Sequence, residues 1–118
     1  VEDYTGYAEL TVHSASGLPV ADTSLFGRGQ PDPYLVLLDG EKVLYRSTTL
    51  KDNSSPRWDA PVRVYLWRGM KLTLEIWDED FIGRDLLVAQ ALMPLPLDGP
   101  YQITNGSILI DLEIQRDR

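Results

Sequence analysis

No cysteine occurs among the 118 residues, and histidine occurs once. A disulfide framework and a thiolate zinc site are thereby excluded, and the missing cysteine fits a reducing compartment. No apolar run approaches the ~18 residues that a transmembrane helix requires. Positive charge is also short: 11 Lys and Arg face 18 Asp and Glu, a formal net charge of −7. That balance argues against nucleic acid as a partner and repels anionic membranes unless something neutralises it locally. No nucleophile–base–acid set can be assembled with one His and no Cys, so catalysis by this chain is not expected.

What is present has a period of two. In YAELTVH, Ala8, Leu10 and Val12 share one face, with Glu9, Thr11 and His13 on the other. KLTLEIW sets Leu72, Leu74 and Ile76 against Thr73, Glu75 and Trp77, and SILIDLEIQ sets Ile108, Ile110, Leu112 and Ile114 against Asp111 and Glu113. Half-buried strands give this alternation. Turn signals at Gly17, Asp39-Gly40, Arg68-Gly69, Asp98-Gly99 and Asn105-Gly106 divide the chain. Strands are expected near 7–14, 33–39, 42–49, 61–67, 71–77, 87–93, 100–103 and 107–114. Eight strands without a helix pattern imply an all-β, antiparallel β-sandwich. The chain reads as one domain, 1–118, excised from a larger protein.

Two connections are too long for hairpins: ADTSLFGRGQPD, 21–32, and DEDFIGRD, 78–85. Each has Asp at its edges and a bulky apolar pair at its tip, Leu25-Phe26 and Phe81-Ile82. A third connection, KDNSSPRWDA, follows the third strand. Counting strands as alternating up and down puts all three at one end of the sandwich. Asp22, Asp32, Asp78, Asp80 and Asp85 then converge. Any one of them is an ordinary turn residue; together they suit a hard cation taking roughly 6–8 oxygen ligands, Ca²⁺ before Mg²⁺. One histidine and no cysteine serve a transition metal poorly. Apolar tips beside a neutralised site suit the interfacial region of a bilayer, although either pair folding back as a small satellite core is the plainer alternative.

The segments GLP (17–19), PDPYLVL (31–37), SSPRWDAPV (54–62), LTLEIWDED (72–80) and LLVAQALMPL (86–95) resemble, in order, those of C2 domains. The resemblance covers nearly the whole chain and implies an eight-stranded C2-like Greek key. One strand before GLP and a last strand at the C-terminus look like the phospholipase-type permutation, type II. Carried over by position, the implied calcium ligands are Asp22, Asp32, Asp78 and Asp80, with Glu79 offering its backbone carbonyl. An ungapped alignment puts Leu86 at the last ligand position; a one-residue deletion puts Asp85 there and starts the next strand comfortably. Two or more Ca²⁺ ions are implied. Leu25, Phe26, Phe81 and Ile82 would insert into the bilayer, and Arg28 and Arg84 would pair with lipid phosphates. Tyr34, Arg46 and Trp77 match the family's second, lysine-rich lipid site, but Thr48 replaces a lysine, and a solvated strand face is the expectation there.

His13 reads as an ordinary surface residue. Asn53-Ser54-Ser55 and Asn105-Gly106-Ser107 are glycosylation sequons, the second better explained as a turn. The functional expectation is a module that binds phospholipid membranes, anionic ones above all, when Ca²⁺ is present. A calcium-independent protein-interaction or scaffold domain is the alternative. A monomer on cytoplasmic membrane surfaces is expected, with protein partners open; a secreted location would follow if the parent were perforin-like.

Overall fold

Alternation puts every second side chain of a strand into the core, and the registers between strands are fixed by keeping those faces inward. The computed structural model describes residues 4–18, 31–79, 85–92 and 98–117. Its strands are β1 (Gly6–Ser16), β2 (Pro33–Asp39), β3 (Lys42–Arg46), β4 (Arg57–Leu66), β5 (Leu72–Asp78), β6 (Leu86–Leu92), β7 (Gly99–Asn105) and β8 (Ile108–Arg116). They form two antiparallel four-stranded sheets, ordered β4-β1-β8-β7 and β3-β2-β5-β6. The antiparallel sandwich expected from the periodicity is what the chain adopts.

The two sheets meet across the predicted faces. Ala8, Leu10 and Val12 of β1 pack with Ile110, Leu112 and Ile114 of β8 against Leu35 and Leu37 of β2 and Leu72, Leu74 and Ile76 of β5. All are buried. Each Val, Leu or Ile among them contributes about 1.5–3 kcal/mol relative to an exposed one.

Gly17 leaves β1 at φ 76°, and a Cβ there would run into the Ser107 carbonyl of the β7–β8 turn. Only glycine accommodates both conditions. Gly106 closes that turn at φ 62°, and Asn105 Nδ2 donates to the Gln90 carbonyl at 2.8 Å, so the Asn105-Gly106 pair serves as a turn.

Two strand boundaries differ from the expectation by more than two residues. β3 ends at Arg46 rather than 49, because the Ser47 side chain takes over: its Oγ accepts the Leu35 N–H at 2.8 Å while Ser47 N–H donates to Leu35 O at 2.9 Å. β4 starts at Arg57 rather than 61. Asp59 sits there at φ 52°, and the pairing with β1 slips between Val12 and Ser14, the mark of a β-bulge. Pro61 is tolerated because β4 is an edge strand, where a missing N–H need not cost a ladder bond.

Candidate functional site

The bases of the three long connections come together at one end, as strand counting indicated. Pro33 opens β2 opposite Asp78, the last residue of β5, and Asp78 also faces Leu86, the first residue of β6. Asp32, one residue before β2, is the hub. Its N–H donates to Asp78 Oδ1 at 2.9 Å, and its carbonyl accepts the Glu79 N–H at 2.9 Å. Its Oδ1 accepts the Asp52 N–H from the 47–56 connection at 2.7 Å. Leu50 and Asn53 fasten that connection further, donating to the carbonyls of Pro33 and Pro31 at 2.9 and 2.7 Å. Two carboxylates are thus anchored, each by a backbone N–H on one oxygen, at residues that stand at strand ends.

The remaining predicted ligands divide. Glu79 follows Asp78, but its carboxylate turns toward β3, accepting Thr49 Oγ1 at 2.6 Å with Arg46 and Lys51 nitrogens at 3.5 and 3.7 Å. Asp85 precedes β6, and its Oδ2 accepts the Tyr34 hydroxyl at 2.6 Å. Burial, and then that hydrogen bond, push the Tyr34 phenol up to about 12. The Arg46 guanidinium stacks 4.0 Å from the Tyr34 ring centroid, while Trp77 Nε1 donates to Glu75 Oε1 at 3.0 Å. Asp22 and Asp80 lie outside the described residues, as do Leu25, Phe26, Arg28, Phe81, Ile82 and Arg84. Among the described residues no group of three or more His, Cys, Asp or Glu side chains is assembled that could hold a metal ion.

The donors present fit a hard cation. They are carboxylate and carbonyl oxygens, without nitrogen or sulfur, on backbone already tied into one unit, which is the chemistry Ca²⁺ takes. Asp32 and Asp78 are the side chains that would hold it.

Three features escaped sequence reasoning. The Tyr34–Asp85 and Asp32–Asp52 hydrogen bonds join residues far apart in sequence and carry no local signal. The third is the pair of acidic partners that His13, on the surface as expected, meets there. Its Nδ1 lies 2.6 Å from Asp59 Oδ1 and its Nε2 2.9 Å from Glu113 Oε1. The bulge brings it between those strands.

The sequence pattern of the C2 domain matches residues 6–108. The chain belongs to the C2 domain family. Extended synaptotagmin-2 of Mus musculus is 31% identical to it over 116 residues, 92% of this chain and 12% of that protein. The Homo sapiens protein of the same name is equally similar over 10% of its length. This C2 domain therefore spans about a tenth of those relatives. Among solved structures, a calcium-bound tandem pair of C2 domains from Extended-Synaptotagmin 2 superposes with a TM-score of 0.76 at 23% identity, over 98% of this chain and 47% of that one. Human GIVD cytosolic phospholipase A2 in complex with methyl gamma-linolenyl fluorophosphonate superposes at 0.75 and 24% identity, over 98% and 17%. At these identities the structural likeness speaks for the fold.

Proposed function

We propose that this C2 domain is a non-catalytic module that docks on phospholipid membranes when Ca²⁺ occupies the carboxylates at its loop end. The observation that carries this is the pairing of Asp32 with Asp78 through the Asp32 N–H, at the point where three connections converge. Like charges placed together raise the free energy of the fold unless a cation lies between them. A divalent ion supplies that neutralisation and offers remaining coordination sites to a lipid phosphate. Asp22 and Asp80 complete the set in this reading, with Asp85 and the Glu79 carbonyl beside them. Two ions would add four positive charges at the end of a chain of net charge −7, turning a repelled surface into an attracted one. Leu25, Phe26, Phe81 and Ile82 then enter the interfacial region, and Arg28 and Arg84 meet phosphates. The protein would lie as a monomer on anionic, cytoplasmic membrane surfaces. The pairing of β1 with both β4 and β8 supports the phospholipase-type permutation within the same reading.

One observation favours the second reading, a calcium-independent interaction domain. Asp32 Oδ1, Asp78 Oδ1 and Asp85 Oδ2 each already accept a hydrogen bond from the protein, so the cluster is partly satisfied without an ion. Co-sedimentation with phosphatidylserine-containing vesicles separates the two. The leading reading expects binding in Ca²⁺ that disappears in EGTA and in the Asp78→Asn, Asp80→Asn protein. Equal binding with and without Ca²⁺ overturns it. Replacing Leu25 and Phe26 by Ser is expected to weaken vesicle binding while leaving calcium affinity nearly intact.

A further inference from the structure

The His13 ring bridges three strands. It projects from the bulge of β1, Asp59 belongs to β4, and Glu113 belongs to β8. A neutral imidazole has one N–H and one bare nitrogen, and a bare nitrogen facing a carboxylate oxygen at hydrogen-bond distance is repulsive. Both contacts are attractive only when both ring nitrogens carry protons. We propose that His13 is a proton-operated clamp: as imidazolium it pins the bulged start of β4 to β1 and β8, and on losing its proton it releases that segment.

The surroundings favour the charged form. Arg57 of β4 pairs with Asp59 Oδ2 at 2.6 Å from the other side. From β8, Asp111 stands beside Glu113, holding Ser14 Oγ at 3.5 Å and Gln102 Nε2 of β7 at 2.8 Å. An open groove of about 640 Å³ runs past these groups to Tyr101, so water and protons reach the ring. Asp59 and Glu113 thus contact the histidine, Arg57 pairs with Asp59, and Asp111 lines the same groove. The hydrogen bonds to Asp59 and then Glu113 hold the His13 pKa above its ordinary 6.5, and the same contact holds the Asp59 carboxyl below its ordinary range.

The sign follows by linkage. The folded chain binds this proton more tightly than the unfolded chain, so the clamp's contribution is complete below about 6.5 and is lost as pH rises through the higher folded-state value. With the proton gone, Asp59 and Glu113 face one imidazole that can serve only one of them. Asp59 meanwhile sits at φ 52°, a conformation that a side chain other than glycine's adopts at a cost. Release therefore begins at 57–60, next to the Ala15 N–H, which donates to the Pro56 carbonyl at 3.0 Å.

Histidine occurs once in the chain, so its titration is read without ambiguity. The experiment follows the imidazole ¹⁵N and ¹H signals from pH 5 to 9, together with Ala15 amide exchange, in the unmodified domain and in Glu113→Gln. The clamp requires imidazolium shifts at both nitrogens at pH 6, a midpoint above 6.5 that falls in Glu113→Gln, and faster Ala15 exchange above that midpoint than exchange chemistry alone gives. A single-tautomer neutral ring at pH 6, or an Ala15 opening equilibrium that does not change across the titration, overturns it. Thermal melts of His13→Gln provide a second reading. Its Tm deficit against the unmodified domain should shrink as pH rises through the midpoint, and a deficit independent of pH counts against the clamp.

Discussion

Two places in this domain gather carboxylates from separate strands, and they balance the charge differently. On the outer face of β4-β1-β8-β7, Asp59 and Glu113 close on His13, with Arg57 alongside. That cluster contains its own cations. At the loop end, the Asp32 N–H donates to Asp78 and the Asp52 N–H to Asp32, while Arg46 and Lys51 pair with Glu79. Backbone dipoles can position a carboxylate but cannot cancel its charge. The same residue type thus makes an internal brace where a basic side chain is built in, and under the proposed function it receives an outside cation at the loop end.

Both clusters stand on one core, and the largest effect tests that. Leu112 lies between Asp111 and Glu113 with its side chain buried at 1% exposure. Leu112→Ala is expected to cost about 2–5 kcal/mol, with both clusters lost in a single melting transition by circular dichroism. Two separate transitions would break the comparison by making the clusters independent. Calcium gives the next effect: at a hundredfold excess over its Kd, a ligand that binds only the folded state stabilises by about 2.7 kcal/mol. That gain should appear in denaturant titrations of the unmodified domain and vanish in Asp78→Asn.

Gly17 connects the two regions, following the strand of His13 and preceding the first long connection. Gly17→Ala, with a Cβ driven into the Ser107 carbonyl at a left-handed φ, is expected to cost about 1–3 kcal/mol in urea unfolding. The smallest effect sharpens the role of Asp85. Tyr34→Phe removes the hydroxyl held by Asp85 and should cost about 0.5–1.5 kcal/mol near neutral pH. Because the folded phenol is raised to about 12 from 10.0, its contribution is present below about 10 and lost as pH climbs toward 12. The alkaline decline in Tm should therefore be shallower in Tyr34→Phe. Calcium affinity should rise in the same variant if Asp85 is thereby freed for an ion.

The sandwich was legible because alternation at Ala8-Leu10-Val12, Leu72-Leu74-Ile76 and Ile108-Ile110-Leu112-Ile114 sorts buried from exposed without reference to anything distant. The Asp32–Asp78 encounter was legible too, since alternating strand directions put the start of one strand and the end of another at the same edge. His13 was not. Period two assigns it to the outer face, but a one-residue slip after Val12 decides what it meets there, and Asp59 and Glu113 are 46 and 100 residues away. The early start of β4 was hidden for the same reason: the bulge at Asp59 interrupts the alternation that marks a strand.

The most direct test of the account is a paired melt in Ca²⁺ and in EGTA at pH 6 and at pH 8.5, for the unmodified domain, Asp78→Asn and His13→Gln. The calcium-induced rise in Tm is expected to persist in His13→Gln and disappear in Asp78→Asn, while the pH-dependent change persists in Asp78→Asn and disappears in His13→Gln. A calcium shift that survives Asp78→Asn, or none in the unmodified domain, would contradict it.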